Sequence, residues 1–172
     1  MTKNTINPPH HHDQPTGFSL IESLVALIII SIGLLGLAAL QTSALRNTQI
    51  ANIASQATIA AHDIIERMRS NPTGMQSKAY NAPSLVANSD CYTTTGCTPT
   101  EMAKNDMYEW INELSRTIPQ SSAITCLDST PDDGTHSTNA ECDGSGDVYA
   151  IKIWSGEENT PSYQRFVTTV IF

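Results

Sequence analysis

Residues 17–40, GFSLIESLVALIIISIGLLGLAAL, restrict this chain more than any other stretch. After Glu22 no charge occurs until Arg46. About 20 apolar residues at 1.5 Å per residue cross the roughly 30 Å hydrocarbon layer of a bilayer, so a membrane-spanning helix is expected over residues 18–40. An ordinary secretory signal places its small-residue cleavage site after the apolar run. Here Gly17 precedes the run, and no compelling Ala-x-Ala site followed by a loop comes after Leu40. A peptidase acting on the cytoplasmic side of Gly17 would remove a polar leader and leave the apolar segment on the mature chain. That leader, residues 1–17, carries Lys3, Pro8, Pro9 and three histidines at His10 to His12, and reads as an unstructured, solvated tail. Glu22 is costly to bury without a partner. Cleavage ahead of Phe18 would place a terminal amine close to it.

The hexapeptide Gly17-Phe18-Ser19-Leu20-Ile21-Glu22 resembles the class III signal of type IV prepilins and the related pseudopilins. The resemblance implies cleavage between Gly17 and Phe18 by a prepilin peptidase, N-methylation of Phe18, and an assembly role for Glu22, which pairs with the terminal amine of a neighbouring subunit in a helix bundle. It further implies other pilins, major and minor, and an inner-membrane assembly platform as partners.

From Gln41 to Arg69 the pattern turns amphipathic without a helix breaker. Ala44, Ile50, Ile53, Ala57, Ala60, Ala61, Ile64, Ile65 and Met68 recur at spacings near three and four, which marks one helical stripe. Asn71-Pro72 and Gly74 supply the stop. One helix over residues 18–70 would be roughly 80 Å long. Arg67 and Arg69 read as a solvated last turn that complements the helix C-terminus. The run Glu66-Arg67-Met68-Arg69-Ser70-Asn71-Pro72 is similar to the corresponding stretch of the type IV pilus modification protein, or PilV, group of minor pilins, as is the order of the elements that follow.

Residues 71–172 are expected to form an exported head. Its four cysteines, Cys91, Cys97, Cys126 and Cys142, lie beyond the apolar segment and are even in number, which fits disulfides in an oxidising compartment. Three pairings are possible, and short-range closure favours Cys91 with Cys97 and Cys126 with Cys142. Residues 73–96 read as loop. Thr98-Pro99-Thr100-Glu101 reads as a helix start with Thr98 at the N-cap, Pro99 at N1 and Glu101 closing a capping box. Ala103, Met107, Trp110, Ile111, Leu114 and Ile118 form the apolar stripe, with Trp110 as a core anchor. Strands are expected at residues 122–127, 148–154 and 163–172, with Tyr149, Ile151 and Ile153 on one face and Lys152 opposite. The acidic connection at residues 128–147 reads as a solvated loop. Its Asp143-Gly144-Ser145-Gly146-Asp147 stretch lacks the full ligand pattern and closing glutamate of an EF-hand. The fold class expected is α+β and pilin-like, a long N-terminal helix packed against a small antiparallel sheet.

Acidic residues outnumber basic ones 17 to 9, for a net charge of -8, so nucleic acid is not an expected partner. His62 and His136 stand alone, Ser19 belongs to the processing motif, and neither a CxxC nor a glycine-rich phosphate loop is present. No catalytic residue, metal site or cofactor is expected. The resemblance implies a minor type IV pilin, a structural and priming subunit that promotes assembly, adhesion or twitching motility. It would begin as a single-pass inner-membrane protein with a periplasmic head and end in a surface pilus. Two alternatives stand beside it: a minor pseudopilin of a type II secretion system, and a membrane-tethered adhesive or ligand-binding head that never polymerises.

Overall fold

A computed structural model describes residues 19–157, 160 and 163–171. The long helix α1 runs Leu20–Ser70, followed by a short α2, Pro72–Gln76, and a single 3₁₀ turn at Ser89–Tyr92. Helix α3, Pro99–Thr117, leads into strands β1, Ser121–Leu127, β2, Val148–Ser155, and β3, Gln164–Ile171. The strands form one antiparallel sheet in the order β1-β2-β3. This is the expected α+β arrangement of a long apolar N-terminal helix and a small C-terminal sheet. By its contacts the chain divides inside α1 into two compact units, one ending at Leu45 and one beginning at Arg46.

The unit that begins at Arg46 holds the core. Ala57, Ala61, Ile64, Ile65 and Met68 bury the apolar stripe of α1, and Ile53 and Ala60 pack at its margin. Ala44, expected on the same stripe, lies exposed in the other unit. Helix α3 adds Ala103, Met107, Trp110 and Leu114, and the sheet adds Ala123, Leu127, Tyr149, Ile151 and Ile153. The Trp110 indole also donates to the Ala60 carbonyl at 2.8 Å, so it anchors α3 on α1 by packing and by a hydrogen bond together. The α3 start has the expected capping box: Thr98 accepts from the Glu101 N–H, and the Glu101 carboxylate accepts from the Thr98 N–H at 2.8 Å.

Residues 73–96 are less irregular than the sequence suggests. Asn71-Pro72 ends α1 and at once starts α2, because the Asn71 side chain caps the Gly74 N–H at 3.1 Å and Pro72 takes the first helical position. Beyond it, Ala82 N–H donates to Thr125 O and Leu127 N–H to the Asn81 side chain, which covers part of the outer edge of β1.

The connection from β1 to β2 is a folded cover on the sheet face away from α1. Cys126 is joined to Cys142, and Cys91 to Cys97. Gly134 has φ +79°, and a Cβ there would fall 2.5 Å from the Ala140 carbonyl oxygen. Only glycine allows both that backbone and that approach.

Candidate functional site

Three places carry chemistry that composition alone does not explain: the apolar helix with its single acid, the charged groups at the end of α1, and those beneath the acidic loop.

In the first unit every described residue is exposed. The helix begins where Glu22 N–H and Ser23 N–H both reach the Ser19 carbonyl, at 3.0 and 3.2 Å. Glu22 therefore sits in the first turn, where the positive end of the helix dipole favours a carboxylate. The Ser31 hydroxyl donates to the Leu27 carbonyl at 2.6 Å and the Thr42 hydroxyl to the Ala38 carbonyl at 3.0 Å, so these polar groups are satisfied within the helix, as an apolar solvent demands. Gly33 and Gly36 have open space around them. Helix α1 is long and apolar enough to cross a membrane, and no part of its apolar window is buried within the chain. Gly17, Phe18 and the leader at residues 1–17 lie outside the described residues.

The second place is the end of α1. Arg67 is not a solvated dipole partner: it reaches Asp63 and Glu109 at 2.9 Å each, with Asp106 at 4.0 Å, and so clamps α1 to α3. Arg69 keeps the expected exposed position beside Glu66. Asn71 extends the clamp, donating to the Pro99 carbonyl at 2.8 Å and to the Tyr80 hydroxyl at 3.3 Å, while Tyr80 donates to Asp106 at 2.5 Å. Tyr92, next to Cys91, donates to Glu109 and accepts from Asn105. Burial, then the bond to Asp106, raises the Tyr80 phenol well above its ordinary value. Burial raises Asp106, against the pull of Tyr80 and Arg67. Glu109 is held low by Tyr92 first and then by Arg67. These groups tie α1, α2, α3 and the first disulfide loop together through charge-assisted bonds.

A third cluster lies under the acidic loop. Lys152 is on the face expected, opposite Ile151 and Ile153, yet it is fully buried. Its ammonium meets Asp128 and Asp133 at 2.6 Å each and the Ala140 carbonyl at 2.8 Å. Burial by itself would depress the Lys152 pKa, but the bonds from Asp128 and Asp133 outweigh it and hold the group above its ordinary value. Asp133 is held low, chiefly by Lys152. The connection expected to be solvated thus folds inward around one cation. Asp128 lies buried within it. Arg165 pins its rim through Asp132 at 2.7 Å and the Gly134 carbonyl at 3.1 Å, and Tyr163 donates to Thr135 O. The Asp143 carboxylate accepts from Ser129 and Ser145. Cys126, Asp128 and Cys142 place their ligand-type atoms within 4.8 Å of one another, but both sulfurs are in the disulfide and Asp128 is paired with Lys152.

Sequence reasoning missed Asn71, Asn105, Asp128, Asp133 and Lys152 as structural centres. Asn before Pro was a readable N-cap signal, and a lysine inside an otherwise apolar strand was a readable request for acids. Nothing at the level of spacing identified which acids answer it.

Residues 39–108 match the family model described as Tt1218-like, type IV pilin Tt1218. The matched segment spans the end of the apolar run, the clamp at Arg67 and Asn71, the first disulfide and half of α3. It lies wholly outside the Gly17–Glu22 motif, so the two similarities are independent. Together they support a relationship to the type IV pilin superfamily, a structural and generally non-enzymatic group. No curated protein and no solved structure gives a significant match.

Proposed function

We propose that this chain is a minor type IV pilin of the PilV kind, cleaved after Gly17, N-methylated on Phe18 and inserted into a filament through its apolar helix. The observation that carries this reading is a prepilin-type hexapeptide leading directly into a helical segment, Leu20 to Leu45, that buries none of its apolar side chains within the chain. A helix of this composition has two suitable surroundings, lipid and other apolar helices, and a subunit that moves from one to the other needs both. Glu22 is the group that distinguishes them. In a bundle its carboxylate meets the terminal amine of a neighbouring subunit, which fixes axial register. The head at residues 71–172 faces the periplasm before assembly and the filament surface after it. The chain is a substrate of the prepilin peptidase and methyltransferase and a partner of the assembly platform and other pilins. The two disulfides suit the compartment this orientation requires.

Mass spectrometry of the membrane-extracted protein is expected to find N-methyl-Phe18 as its first residue. An intact Met1 terminus, or cleavage beyond Leu40, overturns the processing. Sheared surface filaments are expected to contain the chain, and its confinement to washed membranes overturns the assembly role.

A further inference from the structure

The two disulfides sit in opposite surroundings. Cys126 lies in β1, fully buried, and its partner Cys142 belongs to the cover over the outer face of the sheet. Cys91 and Cys97 are both partly exposed, and the residues they enclose, Tyr92 to Gly96, are all exposed. A Cβ at Gly96 would meet nothing within 4 Å, so this end of the loop stands clear of the head.

Thiol–disulfide exchange proceeds by attack of a thiolate on one sulfur and departure of the other as a thiolate. At Cys126–Cys142, burial closes the approach to Cys126. Attack on Cys142 would expel the Cys126 thiolate into a buried position, where a charged sulfur is disfavoured. The Asp128 carboxylate, within 4.8 Å of both sulfurs, opposes that charge further, because the Lys152 ammonium is already shared between Asp128 and Asp133. At Cys91–Cys97 both residues reach solvent, so either can be attacked and the other can leave into water. The acid next to them in sequence, Asp90, is itself exposed and screened by solvent.

Opening this bond does not require the head to unfold. Asn105, a buried residue of α3, holds both ends of the 3₁₀ turn that carries Cys91. Its side-chain oxygen accepts from the Asn88 N–H at 2.8 Å, and its amide donates to the Tyr92 hydroxyl at 2.6 Å. Tyr92 donates in turn to Glu109. On the other side, Thr98 is fixed as the N-cap of α3. The loop is therefore seated on α3 by bonds that do not pass through sulfur, and opening frees the stretch from Thr93 to Cys97.

We propose that Cys91–Cys97 is a thiol–disulfide exchange site of the folded head for a dithiol protein of the exported compartment. One thiolate of that protein attacks Cys91 or Cys97 and forms a mixed disulfide, and its second thiolate then attacks this bond. Two electrons and two protons pass to the head, which ends with two thiols, while the partner ends as a disulfide. Cys126–Cys142 stays closed throughout. The compartment of the partner rests on the exported reading of the head, whereas the reactivity of the bond does not.

The test challenges the oxidised full chain in detergent, at neutral pH, with dithiothreitol or with reduced thioredoxin, then alkylates with N-ethylmaleimide and maps the label by mass spectrometry. With either reductant, Cys91 and Cys97 are expected to be labelled at least tenfold faster than Cys126 and Cys142, while amide protection of α3 and β2 is unchanged. In Tyr92→Phe, reduction is expected to speed exchange of the Thr93 N–H, which is bonded to the Asp90 carbonyl, at least fivefold beyond the reduced native chain. Equal labelling of the two pairs, earlier labelling of Cys126 and Cys142, resistance to thioredoxin, or loss of α3 protection on reduction would each overturn the proposal. An equal Thr93 rate in Tyr92→Phe would overturn the seating by Tyr92. Failure of the exported reading shows separately, as four reduced cysteines in chain taken from acid-quenched cells.

Discussion

The two units of this chain reverse each other's chemistry. In the first, Leu20 to Leu45 present apolar side chains outward all round, and the one acid sits at the helix start. In the second, large apolar groups are inside and so is a full charge, Lys152, with Asp128 beside it. A buried aliphatic side chain contributes about 1.5–3 kcal/mol when removed from water. The first unit forgoes that within its own chain and leaves it to surroundings, whereas the second collects it during folding. The difference teaches where each unit's stability resides: outside the chain for one, inside it for the other. Substitutions that remove charge should therefore act in opposite ways, destabilising the fold of the head and sparing the fold of the helix.

The largest effect on folding is expected from Lys152→Ala. Removing one partner of a buried pair leaves Asp128 charged and unanswered, at a cost of about 3–5 kcal/mol. Chemical denaturation of the oxidised chain in detergent measures it. Lys152→Met with Asp128→Leu should recover most of the loss, and equal destabilisation of the single and double variants would break the account. Next, replacing Cys126 and Cys142 together by Ser should cost about 3 kcal/mol, the chain-entropy value for a loop of some 16 residues. A negligible change would mean the cover is held by Lys152 and Arg165 alone.

The pH response sharpens the same contrast. Asp133 is depressed by Lys152, so its contribution is present above the ordinary carboxylate range and lost as pH falls through its lower folded value. Lys152 is raised, so its contribution is present below the ordinary lysine value near 10.5 and lost as pH rises through the higher folded one. Denaturation midpoints should be level between these limits and fall on both sides. Asp133→Asn should flatten the acid side specifically, and an unchanged acid limb would remove Asp133 from the explanation. The smallest effect on folding belongs to Glu22→Ala, within about 0.5 kcal/mol for an exposed position. Its effect on filament entry should nevertheless be severe, and normal incorporation would remove the proposed pairing with a terminal amine.

Much of the architecture was legible because it depends on local patterns. The capping box at Thr98 and Glu101, the stripe through Ala103, Met107 and Leu114, and the alternation of Tyr149, Ile151 and Ile153 are periodic or short-range signals. Arg67 was legible only in part. Its position near a helix end explained it adequately until Glu109, 42 residues away, proved to be its partner. Lys152 shows the same limit: the pattern assigned its face, but its burial depends on Asp128 and Asp133 folding back over β2. An acidic, glycine-bearing connection looks solvated in sequence whether or not a cation waits beneath it. Of the candidate assembly site, only Glu22 falls among the described residues, and the sequence had already identified it.

Ser31 is the only polar side chain between Leu24 and Leu40, and its hydroxyl is turned back onto the Leu27 carbonyl. This central segment consequently asks nothing polar of its neighbours, whether those are acyl chains or other helices. In the proposed passage from bilayer to filament and back, its internal bonding would need no rearrangement. On the proposed reading, the carboxylate of Glu22 would be the part of the helix that registers the change of phase, and the reversibility of assembly would be governed chiefly by how that one group is met on either side.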